Sequence, residues 1–137
     1  MKIIVLFLIL LSAQFMNQTQ TSSKLTWEAR TYKVFGTCSF EMTDNGLQLN
    51  FHEDFTTSNG PDLKLVLSKV PLHKIANRDD VTQDGLVIAR LRSNKGAQSY
   101  ALPDSINMGQ YKSLLIHCEA YSVVWGGVSL PDHLMEE

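Results

Sequence analysis

From Leu25 onward, this chain alternates apolar and polar residues with a period of two, and turn-forming residues interrupt the alternation at intervals of about ten. Val34–Met42 places apolar or small residues at its even positions, and Leu47–Phe51 places apolar residues at its odd positions. Asp44-Asn45-Gly46 lies between them and favours a tight hairpin turn. Because neighbouring strand residues point to opposite faces, the pattern predicts an all-β fold, an antiparallel β-sandwich of about seven to eight strands.

Two apolar segments are expected to form the centre of this sandwich. Leu63–Leu67 carries Val66 on its second face, which indicates a strand that is buried on both sides. Ser113–Leu130 contains two apolar runs with a polar interlude between them, which predicts two consecutive strands with Cys118 at the end of the first. In this register Cys118 points inward with the apolar set, as Cys38 does in the first hairpin.

The middle of the chain is less regular. Val70–Gly85 breaks the alternation, and it predicts a mobile insertion with a single helical turn around His73–Arg78. Leu86–Leu91 returns to strand character, and Ser93–Gly96 favours a turn. We therefore expect Gln98–Leu102 to pair back on Leu86–Leu91 as a hairpin.

Length and charge limit the classes of function. A chain of 137 residues supports one domain of ordinary size. Its 12 Lys and Arg residues against 14 Asp and Glu residues give a formal charge of -2, and no basic stripe is present. Binding to nucleic acid is therefore not expected, because it needs clustered positive charge.

The N-terminus has the pattern of a targeting segment. Lys2 precedes the unbroken apolar run Ile3–Leu11, which is typical of a secretory signal peptide and predicts a helix that is removed on export. The run is too short to cross a bilayer, which takes roughly 20 residues, so we expect no stable membrane span after removal. Residues 1–23 are thus interpreted as signal peptide and polar linker, and residues 24–137 as a single β domain. The expected location is periplasmic or extracellular, with an uncleaved N-terminal anchor as the alternative.

Hydrolase or transferase chemistry cannot be placed on these elements. A cysteine nucleophile needs a histidine within hydrogen-bond reach, and His117 points to the opposite face of the strand from Cys118. His52, His73 and His133 fall on an outward hairpin position, in the insertion and in the C-terminal tail, where solvated histidines are expected. The sequence favours a protein that is not an enzyme.

Metal and cofactor motifs are also weak. The spacing of Asp80 and Asp84 approaches that of a calcium loop, but Leu91 stands where a bidentate glutamate is needed. His52-Glu53-Asp54 lacks a third ligand for zinc. No metal site and no cofactor are predicted, while non-covalent haem held by Cys118 or a histidine stays open.

Three spaced blocks of the chain, in this order, carry a resemblance to a known family. They are Asp54-Phe55 through Gly60-Pro61-Asp62-Leu63 to Leu67-Ser68, then Leu91 through Gly96-Ala97-Gln98-Ser99-Tyr100-Ala101-Leu102-Pro103, and then Tyr111-Lys112-Ser113 through Ile116-His117-Cys118 to Gly126 and Leu130. Together they resemble the DM13 (electron-transfer) domain over most of the chain.

The resemblance implies an extracytoplasmic β-rich module with a redox role. The characteristic cysteine of the family matches Cys118, and it is proposed to act as a thiol or through a bound prosthetic group. This sequence departs from the family pattern at His117, where an aromatic residue usually precedes the cysteine, and by its additional Cys38. Both departures bear on the redox role of Cys118.

The residues themselves leave three interpretations of Cys118 open. It can be an inert buried thiol that packs like a small apolar side chain. It can form a disulfide with Cys38, because both point inward and an exported protein meets an oxidising compartment. Such a bridge would close a loop of about eighty residues and contribute about 4 kcal/mol in the chain-entropy model. Cys118 can also be a reactive thiol, and we then expect it to be partly exposed at one edge.

Two functional classes follow from these alternatives. One is an exported redox or electron-transfer accessory module centred on Cys118, with an unidentified redox or protein partner. The other is an extracytoplasmic binding or structural β-sandwich whose cysteines serve only stability. The state and accessibility of the two thiols separate the classes.

Overall fold

The structure of the protein, a computed structural model, describes residues 23–134, and the predicted signal-peptide helix over Ile3–Leu11 lies outside them. The described chain contains the following strands in order: β1 Leu25–Thr26, β2 Glu28–Ala29, β3 Val34–Phe35, β4 Thr37–Thr43, β5 Gly46–Phe51, β6 Thr56–Thr57, β7 Leu63–Ser68, β8 Leu86–Arg90, β9 Gln98–Ala101, β10 Ser113–Cys118 and β11 Val123–Ser129. Three 3-10 helices connect them, η1 Leu72–Lys74, η2 Met108–Gln110 and η3 Glu119–Tyr121. No helix in residues 23–134 is long and apolar enough to cross a membrane.

The strands form two main antiparallel sheets. Sheet A has the order β1-β4-β5-β9, and sheet B has the order β2-β11-β10-β7-β8. A separate short pair joins β3 to β6. The apolar side chains of both sheets meet in one core, which confirms the predicted all-β sandwich.

The β4-β5 hairpin follows the sequence prediction closely. Met42 pairs with Leu47 and Thr43 pairs with Gly46, so the connection contains two residues. Gly46 has a φ of 105°, which supplies the left-handed position that the turn needs. Upstream, Gly36 has a φ of 99°, and a side chain there would collide with the backbone of Asp54. The predicted strand over Val34–Met42 is therefore divided at Gly36 into β3 and β4.

The predicted hairpin between Leu86–Leu91 and Gln98–Leu102 is wrong. β8 pairs with β7 in sheet B, whereas β9 pairs with β5 in sheet A. The physical reason lies in Tyr100, whose ring packs against Phe51 at a centroid distance of 5.4 Å. This packing requires β9 to lie beside β5, so the turn segment crosses from one sheet to the other.

The segment Val70–Gly85 contains one 3-10 turn at Leu72–Lys74 and covers the outer face of sheet B. Its apolar side chains Leu72, Ile75 and Val81 pack on β7, β10 and β11 and bury a second, smaller apolar cluster. The break in the strand pattern is visible in the sequence, whereas this covering role depends on the tertiary structure. The centre of sheet B is therefore covered on both faces, and every residue of β10 is buried.

Candidate functional site

Cys118 lies at the end of β10, where that strand is flanked by β7 and β11. It pairs with Leu63 on one side and with Val123 on the other. The residue is 0% exposed, so the expected partial exposure at one edge is wrong. The sulfhydryl donates a hydrogen bond to the carbonyl oxygen of Pro61, with Sγ and O 3.1 Å apart. Pro61 itself is exposed and belongs to the loop of residues 58–62 between β6 and β7, here called the covering loop. Cys118 therefore lies directly beneath the covering loop.

Charged residues hold this loop on the end of β10. Asp62 has a φ of 55°, which gives the chain its sharp bend. Its carboxylate accepts a hydrogen bond from Arg90 at 3.0 Å and lies 3.7 Å from the ammonium group of Lys64. Lys64 also forms an ion pair with Glu119, the residue that follows Cys118. The cover over Cys118 is therefore fastened mainly by solvent-exposed polar contacts, which are individually weak.

A cleft of about 340 Å³ opens beside the same loop. It is lined by Asn59, Gly60, Asp62, Leu63, Arg90, Leu91, Arg92, Ser93 and Asn94. Leu63 is thus shared between the wall of the cleft and the strand pair that holds Cys118. The three blocks that carry the family resemblance meet at this point: the first supplies Pro61, the second begins beside Arg92, and the third ends its first strand at Cys118.

Cys38 occupies a different environment. It lies within β4, pairs with Leu25 and Phe51, and is 0% exposed in the core between the sheets. Burial, with a further contribution from the negative charge of Asp54, raises the pKa of the Cys38 thiol to about 12. Because the thiolate is the reactive form, Cys38 is chemically inert in the folded protein.

The two cysteines lie in opposite sheets, and both side chains belong to the same apolar core. Both are free thiols in the structure. The Cys38–Cys118 bridge therefore stays a prediction for an oxidised form of the protein.

His117 points away from Cys118, as the alternation predicts, but it does not reach solvent. It is 0% exposed beneath the segment Val70–Gly85, and neither ring nitrogen has a hydrogen-bond partner within residues 23–134. Burial lowers the pKa of His117 against the opposing influence of Asp80 and Asp79. The imidazole is therefore held in its neutral form.

A row of hydrogen-bonded side chains, here called the polar chain, lies on the outer face of sheet A and includes His52, for which the sequence predicts a solvated position. The Thr37 hydroxyl lies 2.9 Å from a carboxylate oxygen of Asp54 and 2.7 Å from Nδ1 of His52. Nε2 of His52 lies 2.9 Å from the hydroxyl of Ser39. Outward positions on paired strands place these side chains next to each other. The register of the β4-β5 hairpin is therefore the sequence signal from which the polar chain could have been predicted.

The donor and the acceptor of each hydrogen bond in the polar chain follow from the protons that each group carries. A carboxylate only accepts, so the Thr37 hydroxyl donates a hydrogen bond to Asp54 and accepts one from Nδ1–H of His52. In a neutral imidazole, Nε2 then accepts a hydrogen bond from the Ser39 hydroxyl. Desolvation alone would raise the pKa of Asp54, but hydrogen bonds from Thr37 and the nearby Lys24 hold it below its usual value. Thr37 and Ser39 are both buried, and the chain joins β4 to the end of β5.

Comparison with known proteins gives a family for this molecule. A family model described as electron transfer DM13 matches residues 26–130, which include every strand around Cys118. The chain belongs to the DM13 electron-transfer family. No curated protein and no solved structure matched this DM13 chain.

The surroundings of Cys118 do not fit a bulky prosthetic group. The DM13 thiol has no exposed surface and is hydrogen-bonded to Pro61, so a planar group such as haem could reach it only if the covering loop moved. The neighbouring cleft is lined mostly by charged, amide and hydroxyl side chains, with Leu63 and Leu91 as its apolar side chains. In residues 23–134, no group of three or more His, Cys, Asp or Glu side chains is arranged to hold a metal ion.

Proposed function

We propose that this DM13 protein is an exported redox accessory module in which the thiol of Cys118 exchanges electrons with a partner. The observation that carries the proposal is the hydrogen bond from Cys118 to the exposed Pro61 at the end of β10. A thiol in that position is separated from solvent by one surface loop. Local opening of the loop exposes it without unfolding the sandwich.

The contrast with Cys38 supports the choice of Cys118. Cys38 pairs with Phe51 in the core between the sheets, and burial raises the pKa of its thiol to about 12, which disfavours the thiolate. Cys118 is followed at once by the exposed Glu119, and its cover is fastened by surface ion pairs. Of the two thiols, Cys118 is the one that a small fluctuation makes reactive.

The chemical step that this site supports is thiol–disulfide exchange. Cys118 loses its proton to solvent, and its thiolate attacks a disulfide of the partner. A new bond forms between Cys118 and one partner sulfur, and the other partner sulfur leaves as a thiolate. The partner disulfide is thereby reduced, while Cys118 is oxidised to a mixed disulfide. No metal or prosthetic group is needed for this exchange.

Glutathione disulfide provides a direct test. Reduced protein, residues 24–137, is incubated with glutathione disulfide under native conditions and then analysed by mass spectrometry after proteolysis. We expect one glutathione adduct, at Cys118, in the wild type and in Cys38→Ser, and none in Cys118→Ser. No adduct under native conditions, or an adduct at Cys38 alone, contradicts the proposal. An intramolecular bridge between Cys38 and Cys118 would appear as a loss of two hydrogens and would replace the mixed-disulfide step by a dithiol one.

Export is part of the proposal and has its own test. The charged residue followed by the apolar run Ile3–Leu11 supports secretion to the periplasm or the extracellular space. The intact mass of protein recovered outside the cytoplasm is expected to lack the segment that contains this run. Recovery of material that retains Met1 contradicts removal and supports an N-terminal anchor.

A structural or binding module is the second candidate function. It is favoured by the complete burial of both thiols, which is the behaviour of cysteines that only fill a core. In that case Cys118 would react with glutathione disulfide no faster than the whole domain unfolds.

A further inference from the structure

The cleft beside the covering loop is built from two segments that are distant in the sequence. Residues 59–63 form one wall, and residues 90–94 form the other. The side-chain amide of Asn94 donates to the side-chain oxygen of Asn59 at 2.8 Å, and the backbone oxygen of Asn94 accepts from Thr57 at 2.8 Å. These contacts fix the walls relative to each other, so the cleft is formed before any ligand arrives.

The two arginines of the cleft differ in their partners. Arg90 is paired with the carboxylate of Asp62 at 3.0 Å. The ion pairs within residues 23–134 do not include Arg92. The cleft therefore holds one positive charge that no carboxylate of the described chain compensates, in a protein whose formal charge is -2.

Arg92 is nevertheless held in place. Its guanidinium carbon lies 4.3 Å from the centre of the Tyr100 ring, and its backbone N–H donates to the Tyr100 hydroxyl at 3.0 Å. That hydroxyl in turn donates to Gln98 at 2.5 Å. A guanidinium that is stacked on a fixed ring keeps its planar set of N–H donors available, and this geometry matches a carboxylate or a phosphate.

Asn59 adds a neutral donor on the facing wall. Its side-chain oxygen is used by Asn94, which leaves its NH₂ group for another acceptor. A volume of about 340 Å³ lies at the lower end of the range for small-molecule sites. The cleft therefore suits a compact ligand with one anionic group.

We propose that this cleft binds a small oxyanion ligand, a carboxylate or phosphate compound, with Arg92 as its main contact and Asn59 as a second donor. The binding does not require Cys118 to be redox-active. It has a consequence for that site, however, because Gly60 and Leu63 line the cleft and also belong to the segment that covers Cys118. An occupied cleft holds this segment in place and slows access to the thiol.

The probes for the test are inorganic phosphate and malonate, each titrated against sodium chloride of equal ionic strength. The readouts are backbone amide shifts and tryptophan fluorescence. Gly60 packs so closely on Trp125 that an added Cβ would lie 2.7 Å from its ring, so the fluorescence of Trp125 reports on this wall of the cleft. We expect saturable amide shifts at residues 59–63 and 90–94, with a change in the fluorescence of the neighbouring Trp125 at the same ligand concentrations. Saturation by phosphate alone or by malonate alone supports the proposal and assigns the ligand class.

Variants separate a specific site from general charge. Arg92→Gln is expected to weaken binding at least about tenfold, and Arg92→Lys to recover part of it, because a lysine keeps the charge but not the planar donor set. Lys112→Gln is the matched control, since it removes an equal charge that is paired with Asp132 at 2.5 Å away from the cleft. Asn59→Asp, at an exposed position, should abolish binding without disturbing the Tyr100 contact.

The outcomes are distinguishable from those of the redox proposal. Absence of a saturable response to either probe, or an equal loss in Lys112→Gln and Arg92→Gln, overturns the anion site. Glutathione addition at Cys118 is measured without phosphate or malonate and is unaffected by that result. If the anion site exists, a saturating concentration of the probe should slow glutathione addition at Cys118 in the wild type. The same concentration should leave the rate of addition in Asn59→Asp unchanged.

Discussion

Cys38 and Cys118 contact the same core, yet their surroundings differ in kind. Cys38 lies within β4 and pairs with Phe51, whose ring contacts three further aromatic rings. Cys118 lies at the last position of β10, beneath an exposed proline and beside a polar cleft. Equal burial therefore does not mean equal reactivity, because the free energy needed to expose a thiol depends on how much structure must open with it.

The largest effect on stability is expected when the packing next to Cys38 is weakened. Phe51 pairs with Cys38 and contacts the rings of Trp27, Phe55 and Tyr100 at centroid distances of 5.1, 4.5 and 5.4 Å. We expect Phe51→Ala to lower the free energy of unfolding by about 3 to 5 kcal/mol in a urea titration. Phe35→Ala, at a position that is 55% exposed, is the control and should have little effect. Similar losses in both variants would contradict the assignment of a rigid core around Cys38.

The second prediction compares the same substitution at the two cysteines. Cys38→Ser buries a hydroxyl among apolar side chains, and we expect it to lower the free energy of unfolding by about 1 to 3 kcal/mol. Cys118→Ser keeps a donor for the carbonyl of Pro61, so a loss below about 1 kcal/mol is expected. Chemical denaturation of the two reduced variants measures both values. A larger loss at position 118 than at position 38 would show that the environments have been interpreted the wrong way round.

The third prediction concerns the other face of β10. Burial lowers the pKa of His117, so the unfolded chain takes up a proton near pH 6.5 while the folded chain does not. The contribution of His117 to stability is therefore complete above that pH and decreases as the pH falls below it. The free energy of unfolding, measured by denaturation at pH 7.5 and at pH 5.5, should fall more between these two pH values in the wild type than in His117→Leu.

The control for that experiment is His73→Leu, because His73 is exposed on the same covering segment. Its pH dependence should match the wild type. A His117→Leu variant with an unchanged pH dependence would mean that His117 is protonated as readily in the folded protein as in the unfolded one.

The smallest expected effect belongs to the polar chain on sheet A. Thr37→Val keeps the shape of the side chain but removes the hydroxyl that links His52 to Asp54. We expect a loss of about 1 kcal/mol in the free energy of unfolding. Thr31→Val, at an exposed position, should be neutral. Calorimetric unfolding resolves the two, and a neutral Thr37→Val would mean that the chain does not stabilise the β4-β5 pair.

Local patterns in the sequence were sufficient for much of the fold. The alternation predicted the inward positions of Cys38 and Cys118, and Asp44-Asn45-Gly46 predicted the β4-β5 hairpin, because both depend on neighbours in the chain. The partner of β9 could not be predicted in this way, since it depends on the fit of Tyr100 beside Phe51, two residues that are distant in the sequence.

The surroundings of the candidate site could not be predicted from the pattern of any single strand. The burial of His117 results from the covering of sheet B by Val70–Gly85, an irregular segment with no strand pattern of its own. The cleft forms where the loop at Asn59 meets the segment at Arg92, and their contact follows from the sheet order. The link between His52 and Thr37 depends on the register across β4 and β5.

We propose that local opening of the loop that contains Pro61 makes Cys118 reactive while Cys38 stays sealed. The most direct measurement is the rate of alkylation by iodoacetamide under native conditions in the single-thiol variants Cys38→Ser and Cys118→Ser, compared with the rate of global unfolding from hydrogen exchange of core amides. We predict that Cys118, in Cys38→Ser, reacts at least about tenfold faster than global opening allows, whereas Cys38, in Cys118→Ser, reacts only at the global rate. Labelling of Cys118 at the global rate would contradict the account and leave both cysteines with a purely structural role.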